Sequence, residues 1–336
     1  MPKTIRNQFE KHLNYEKLME AHIKSRKGKG YRIEVIEFNL KQEEYILWLL
    51  EQLQTGKYKH GGYTTFYITE PKVRKIEKSR YIDRIIHRWV VDNFLEPAFV
   101  PQFIPTSYAC LKNRGMHKAC LDVQKAMKHC KNIWNEYYIL KMDIAKYFDN
   151  IDKEILYKIL ARKIKDKKLL WLIREILYAQ KREKGLEIGN YTSQMFANIY
   201  LNELDQYIKH KLEVKYYFRY LDDEICLLQT KKQAKQVLEK VENFLEKELE
   251  LKLNKKTQIF KNKQGVNFCG YKINEYRLKI RDKGKRRLKK KVKKLKQKVK
   301  DEKITSKEAK KYLAGHLGYI KIANTKNLMD KLFHIE

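Results

Sequence analysis

The sequence predicts an α+β fold built round an antiparallel sheet with helices on one face. Residues 137–260 alternate in the order strand, helix, strand pair, helix, strand, which suits a sheet whose helices share one side. Within that stretch RYLDDEICLL (219–228) reads as a hairpin, because aromatic and aliphatic residues flank an acidic pair and aspartate is a common turn former. The helical runs keep their apolar residues three and four apart, so each has one face fit to bury.

Taken in order, the first 60 residues are mainly helical and basic, and residues 61–130 mix strand-like runs such as YTTFYI with a helix, RIIHRWVVDNFL. YYILKMDI is strand-like and leads to Asp143; Asp152 is placed to cap EILYKILARKI, whose apolar positions are Ile155, Leu156, Ile159, Leu160 and Ile164. Thr192 or Ser193 is expected to cap the next helix, with Phe196, Tyr200, Leu204 and Ile208 as its inner stripe. After the hairpin, KKQAKQVLEKVENFLEKEL is an amphipathic helix through Ala234, Leu238, Val241 and Leu245, and LKLNKKTQIF is expected as a strand. In such a sheet the end of the 137–142 strand lies beside the hairpin tip, so Asp143 meets Asp222 and Asp223 although Asp143 and Asp222 are 79 residues apart in sequence. From Arg281 to Lys303, fourteen of twenty-three residues are Lys or Arg, yet Leu288, Val292, Leu295 and Val299 fall on one helical stripe. That pattern is a docked basic helix, whose outer face can follow a phosphate backbone, rather than a solvated tail.

The chain has 336 residues, room for two or three packed subdomains, and 75 Lys and Arg against 41 Asp and Glu give a net charge of +34. Such a surplus calls for a polyanionic partner and salt-dependent binding. Membrane phospholipid is the rival polyanion, but no apolar run approaches the roughly 20 residues of a spanning helix, and MPKTIRNQFEKHLNYEKL lacks the core of a leader. Nucleic acid is the better fit, with no membrane partner expected. Five cysteines without a CxxC pair indicate neither a disulfide framework nor a zinc ribbon; His117 with Cys120 and His129 with Cys130 lack finger-like spacing. Reduced thiols in a cytoplasmic protein account for them.

Three convergent carboxylates suit a two-metal site. Divalent cations held roughly 3.5–4 Å apart stabilise both oxygens of an in-line phosphoryl displacement, and Mg2+ takes oxygen ligands. Asp143, Asp222 and Asp223 would supply them.

DIAKYFDNI, GNYTSQMFANIYLNELD, RYLDD, LKLNKKTQI and VNFCGYKI follow one another in the order and spacing of the palm motifs of reverse transcriptases. Upstream, VRKIEKSRYIDRIIHRWV and SYACLKNRGMHKA resemble the fingers motifs of prokaryotic members, so the resemblance covers about residues 70–330. It implies a right-hand polymerase: N-terminal extension and fingers over 1–135, a ferredoxin-like antiparallel palm over 136–280, and a short basic helical thumb over 281–336. It also implies RNA-templated DNA synthesis with two Mg2+ ions, for which Mn2+ can substitute, acting on template RNA, cDNA primer and dNTPs.

The same resemblance assigns roles. Asp143, Asp222 and Asp223 hold metal, joined by the backbone carbonyl of Ile144. Lys256, with Lys255 adjacent, matches the mobile lysine that protonates departing pyrophosphate. Arg74, Lys78 and Arg84 are candidates for the triphosphate, where guanidinium forks suit phosphate oxygens; Gln194 is expected at the same nucleotide. Phe148, five residues after Asp143, takes the sugar-gate position, where a flat ring rejects a 2′-hydroxyl. Ile188, Gly189 and Ser193 are expected at the template, Tyr220 at the primer end, and Phe268, Gly270 and Tyr271 in the primer-grip hairpin.

Many bacterial relatives, such as group II intron enzymes, carry QGxxxSP in the third motif; Ile188 to Gln194 here reads IGxxxSQ. With SYAC and the compact length, this resembles the reverse transcriptases of diversity-generating retroelements, which are prokaryotic or phage-encoded. These copy a template-repeat RNA into cDNA with frequent errors at adenines, for mutagenic replacement of a variable region, and work with a small basic accessory protein that forms a pentamer. A glutamine at position 188 can hydrogen-bond to the nascent base pair or the template backbone, whereas Ile188 makes only apolar contact. The rival readings are a retron, abortive-infection or CRISPR-associated reverse transcriptase, or a non-catalytic RNA-binding protein of the same fold.

Overall fold

The computed structural model describes residues 4–69 and 73–333. Residues 1–3, 70–72 and 334–336, which belong to the expected fingers and thumb segments, lie outside the described residues. Helices α1 (Phe9–His12), α2 (Tyr15–Arg26), α3 (Ile33–Leu40) and α4 (Gln42–Gln54) precede a hairpin of β1 (Tyr63–Ile68) and β2 (Arg74–Ser79). Then come α5 (Tyr81–Val90), which continues through a π-helical stretch (Val91–Leu95) into α6 (Glu96–Phe99), and the long α7 (Met116–Trp134) before β3 (Tyr138–Asp143). A single turn, α8 (Tyr147–Asn150), leads to α9 (Lys153–Lys163), α10 (Lys167–Leu177) and α11 (Tyr191–Gln206). The remainder is β4 (Tyr216–Tyr220), β5 (Asp223–Leu228), α12 (Lys231–Leu249), β6 (Gln258–Lys261), β7 (Val266–Phe268), β8 (Tyr271–Ile273), β9 (Leu278–Ile280), α13 (Asp282–Lys300), α14 (Ser306–Ile320) and α15 (Lys326–Phe333). No helix among the described residues is long and apolar enough to cross a membrane.

The chain forms two compact units that share the sequence in alternating segments. The first comprises Met1–Pro105, Ile144–Glu213 and Lys240–Lys255. Three of its helices, α2, α9 and α10, start where short polar side chains take up the unpaired N–H groups of a first turn. Asn14 accepts from Lys17, and Asp152 accepts from Glu154 and Ile155 as the sequence predicts. Asp166 caps α10 at Leu169 and also receives the backbone N–H groups of Gln8 and Phe9, pinning the N-terminal segment to that helix. Phe9, Trp89 and Phe94 pack edge-to-face and stacked at 5.0–6.4 Å between ring centres. In α11 the predicted stripe of Phe196, Tyr200 and Leu204, continued by Ile208, is buried. Its cap differs from expectation: Asn190 stands at the N-terminus, and Thr192 and Ser193 lie buried inside the first turn. Asn190 is drawn there by another partner, since its Oδ1 accepts from the Ser79 hydroxyl at 2.9 Å.

The second unit comprises Thr106–Asp143, Val214–Glu239 and Lys256–Glu336. Its main sheet has the order β4-β5-β3-β6 with every pairing antiparallel, the ferredoxin-like arrangement. One face, carrying Tyr137, Ile139, Phe218, Ile225 and Leu227, joins a core with Cys120, Val123 and Met127 of α7. The same core takes in Val266, Phe268, Tyr271 and Ile273 of the three-stranded sheet β7-β8-β9. The basic helix α13 docks into it through Leu288, Val292 and Leu295, with Val299 half-buried at its end. The expected strand LKLNKKTQIF is shorter than predicted: only Gln258–Lys261 pairs with β3, and Lys255 and Lys256 form a turn. The Asn-Lys-Lys-Thr run at 254–257 has little apolar surface to hold it against a sheet.

Candidate active site

The carboxylates meet at the end of the central strand pair. In the β3–β5 ladder Asp143 is directly opposite Asp223, and in β4–β5 Tyr220 is opposite Asp223. A two-residue turn, Leu221 and Asp222, closes the hairpin, with Leu221 at φ +53°, a left-handed backbone rare for a large side chain. All three aspartates are half-buried. Ile144 continues from Asp143 into a bridge with Leu253, reinforced by Ala145 N–H donating to the Lys252 carbonyl at 2.9 Å.

Sequence reasoning missed Lys141. Side chains two apart on a strand share a face, so Lys141 projects beside Asp143, and its ammonium ion-pairs with the Asp223 carboxylate. Burial pulls its pKa down to about 8 against the opposing pull of Asp143, Cys269, Glu224 and Asp222. The ammonium also lies 5.2 Å from the Phe268 ring centre. The strand spacing puts Lys141 on the face of Asp143, but its pairing with Asp223 depends on the cross-strand register. Arg219 and Glu224 were missed as well: they are direct cross-strand partners, fully buried, and Arg219 Nη1 donates to the Leu221 carbonyl at 3.3 Å, bracing the turn.

The expected primer-grip residues form the β7–β8 hairpin of the same unit. Phe268 and Tyr271 are buried in the core, so they act by holding the Cys269–Gly270 turn. Gly270 has φ +86°, its carbonyl accepts from the Tyr319 hydroxyl at 2.6 Å, and an added Cβ would collide with that hydroxyl. The Tyr271 hydroxyl donates to the Tyr319 carbonyl in return. Tyr220 is half-buried, and burial with Cys269 nearby raises its hydroxyl pKa. Lys256 is exposed on its turn.

The nucleotide and template candidates all lie in the first unit, Ile188 and Gly189 on the loop 185–190. Leu186 N–H donates to the Phe148 carbonyl at 2.7 Å and Gly185 N–H to Ile151 at 2.8 Å, fixing one end of the loop to the turn that carries Phe148. Gly185, at φ +92°, passes so close to Asp149 that a Cβ would sit 3.1 Å from its carbonyl oxygen. At the other end the Ile188 carbonyl accepts from Glu77 N–H at 3.2 Å, tying the loop to β2. The Glu77 carboxylate is buried and accepts from Lys75, Gln180 and Arg182 at 2.8–2.9 Å. Burial alone would raise its pKa; these three donors pull it below the ordinary value. Phe148, Ile188 and Gln194 are half-buried, Gly189 is exposed, and Ser193 is buried. Arg74 and Lys78 stand on β2, Arg84 on α5.

The donor set at the strand ends is all oxygen, which suits a hard divalent cation. Asp143, Glu224 and Asp222 act on the Lys141 ammonium in favour of its charge while burial acts more strongly against it. The side chains do not close into a cage: among the described residues no three potential ligands are gathered at metal-binding geometry. Asp223 is turned toward Lys141 instead.

A sheet that brings carboxylates together at the ends of β3 and β5, within a strongly cationic chain, suits metal-assisted phosphoryl transfer on a polyanion. The family model for reverse transcriptase (RNA-dependent DNA polymerase) matches residues 61–273, more than half of the chain. The chain belongs to that family: it is a reverse transcriptase, an RNA-directed DNA polymerase of the nucleotidyltransferase class. Protein YkfC of Escherichia coli (strain K12) is 25% identical over 268 residues, covering 67% of this chain and 70% of that protein. Group II intron-encoded protein LtrA of Lactococcus lactis subsp. cremoris is 28% identical over 177 residues, covering 49% of this chain but 28% of LtrA. Among solved structures, apo telomerase from Candida tropicalis truncated from its C-terminal domain aligns with TM-score 0.48 at 14% identity, over 65% of this chain and 55% of that one. The chain thus spans under a third of the length of LtrA. Reverse transcriptase domains of this family use a divalent metal.

Proposed function

We propose that the chain copies an RNA template into cDNA at a two-Mg2+ site of Asp143, Asp222 and Asp223, as the polymerase of a diversity-generating retroelement. The observation that supports this most is the register that sets Asp143 against Asp223, with Asp222 in the adjoining turn. Mg2+ bound there would acidify the primer 3′-hydroxyl and neutralise the triphosphate, with Mn2+ an acceptable substitute. The 3′-hydroxyl gives up its proton to water as its oxygen bonds to the α-phosphorus and the α–β bridging bond breaks, and Lys256 gives a proton to the leaving pyrophosphate. Arg74, Lys78 and Arg84 hold the phosphates, Gln194 contacts the nucleotide, and Phe148 blocks a 2′-hydroxyl. Ile188, Gly189 and Ser193 face the template, Tyr220 and the Gly270 turn steady the primer end, and the Ile144 carbonyl joins the metal ligands. In this reading 1–135 is extension and fingers, 136–280 palm and 281–336 thumb, and a small basic pentameric protein assists.

The IGxxxSQ motif supports the retroelement assignment. The test is primer extension on an RNA template with dNTPs and Mg2+, with and without a candidate accessory protein, followed by sequencing of the product. DNA with errors concentrated opposite template adenines is expected, lowered by Ile188→Gln and lost in Asp222→Asn by about a thousandfold or more, the scale of losing a charge-stabilising group. Faithful DNA would move the chain to a retron, abortive-infection or CRISPR-associated role; full cellular function in Asp222→Asn would leave only a binding protein.

A further inference from the structure

The cations expected at the triphosphate already hold a carboxylate. Glu34, in the first turn of α3, spans two of them: its Oε1 lies 2.6 Å from Arg84 Nη2 and its Oε2 lies 2.7 Å from Lys78 Nζ. Burial alone would raise the Glu34 pKa, and the two partners hold it below its ordinary value. Around this pair the charge is lopsided. The α2–α3 loop folds back through Lys29 N–H to Arg26 and Arg32 N–H to Lys29, bringing Lys29 into the field of Arg84, Arg32 and Arg88. Burial first, and then these three arginines, push the Lys29 ammonium below its usual pKa, with Glu34 opposing. The other carboxylate at hand, Asp92, lies 3.5 Å from Arg88 and is shared with Lys24 at 2.9 Å. A cradle with this excess of cations is unfinished without a multivalent anion.

We propose that Glu34 is a placeholder for phosphate. Its two oxygens occupy the places on Lys78 and Arg84 that two phosphate oxygens of an incoming dNTP take. Lys29, from the N-terminal segment, then completes the cradle around the displaced charge. The inference rests on reading Lys78 and Arg84 as triphosphate contacts. One carboxylate brings a single negative charge to the cluster and a triphosphate brings several, so exchange favours the nucleotide. Glu34 nevertheless competes, and so sets the dNTP concentration the enzyme needs; it is a specificity-determining competitor rather than a catalytic residue.

The experiment uses the full chain and Glu34→Gln, which keeps shape and removes charge. The KM for dNTP should fall roughly three- to tenfold with kcat within about twofold, the scale of releasing two partly exposed ion pairs. Inorganic tripolyphosphate, titrated calorimetrically without template, should bind the variant more tightly by a similar factor. Glu34→Asp, which keeps the charge and shortens its reach, should fall between the two. In a Lys78→Ala/Arg84→Ala background the effect of Glu34→Gln should vanish. Unchanged or raised KM and tripolyphosphate Kd in Glu34→Gln, with the double alanine variant still impaired, would overturn the placeholder alone. A double alanine variant with wild-type KM and Kd would instead overturn the triphosphate reading, and the placeholder with it.

Discussion

Arg219 shows how much of the hairpin depends on a charge that no solvent reaches. It lies fully buried opposite Glu224 and braces the Leu221 carbonyl beside Asp222. Removing one member of such a pair leaves the other charge buried without its cross-strand partner. Arg219→Met, which removes the donor to the half-buried Leu221 carbonyl, should therefore cost about 1–3 kcal/mol in urea denaturation, whereas Arg219→Met/Glu224→Leu should recover part of it. A single variant within about 0.5 kcal/mol of wild type would show that the surroundings satisfy Glu224 alone. The aspartates were legible in sequence because adjacent acidic residues between apolar runs break a pattern. Lys141, Arg219 and Glu224 were not, since one charge in a strand reads as solvent-facing until the cross-strand partner is known.

At the scale of elements, sequence periodicity located the helices and the hairpin, because burial imposes it residue by residue. It failed where a side chain serves another element. Asn190 gives its oxygen to Ser79, so the cap expected at Thr192 or Ser193 moved upstream. The predicted strand keeps only a bridge at Leu253 before a polar turn at Lys255 and Lys256 interrupts it. The same helix start rests on a buried imidazole: His87 faces the Thr192 hydroxyl at 3.3 Å through Nδ1 and His60 at 3.2 Å through Nε2. Burial lowers the pKa of both rings below 6.5; His60 and Arg84 add to the effect at His87, while Asp83 opposes and Arg80 assists at His60. The unfolded chain binds protons near pH 6.5 that the folded one refuses, so stability is full above that pH and falls as acid is added. Thermal unfolding should show a lower Tm at about pH 5.5 than at about pH 7.5, with a shallower fall in His87→Gln. Equal slopes for the two proteins would assign the acid sensitivity to other groups.

For the whole molecule, a net charge of +34 predicts that RNA binding is governed by counterion release. Affinity for single-stranded RNA should fall by about a hundredfold or more between 50 and 200 mM salt if some six to ten phosphates are neutralised; a flat titration would place recognition in the bases. The basic stripe of α13 was visible in sequence, as was the chain of motifs through the sheet. The partition into two units was not: each is assembled from three separated segments, and contacts of that range leave no local mark. The strand order carries a further consequence, for biogenesis. β3 lies between β5 and β6, and 79 residues separate it from the first and 114 from the second. At roughly 5–20 residues per second, the strand bearing Asp143 leaves the ribosome with both edges bare for some seconds before either neighbour is made. The sheet is therefore completed outward in time, with the rim strand β6 added last, and the interior strand β3, the first made, is the one most in need of a chaperone.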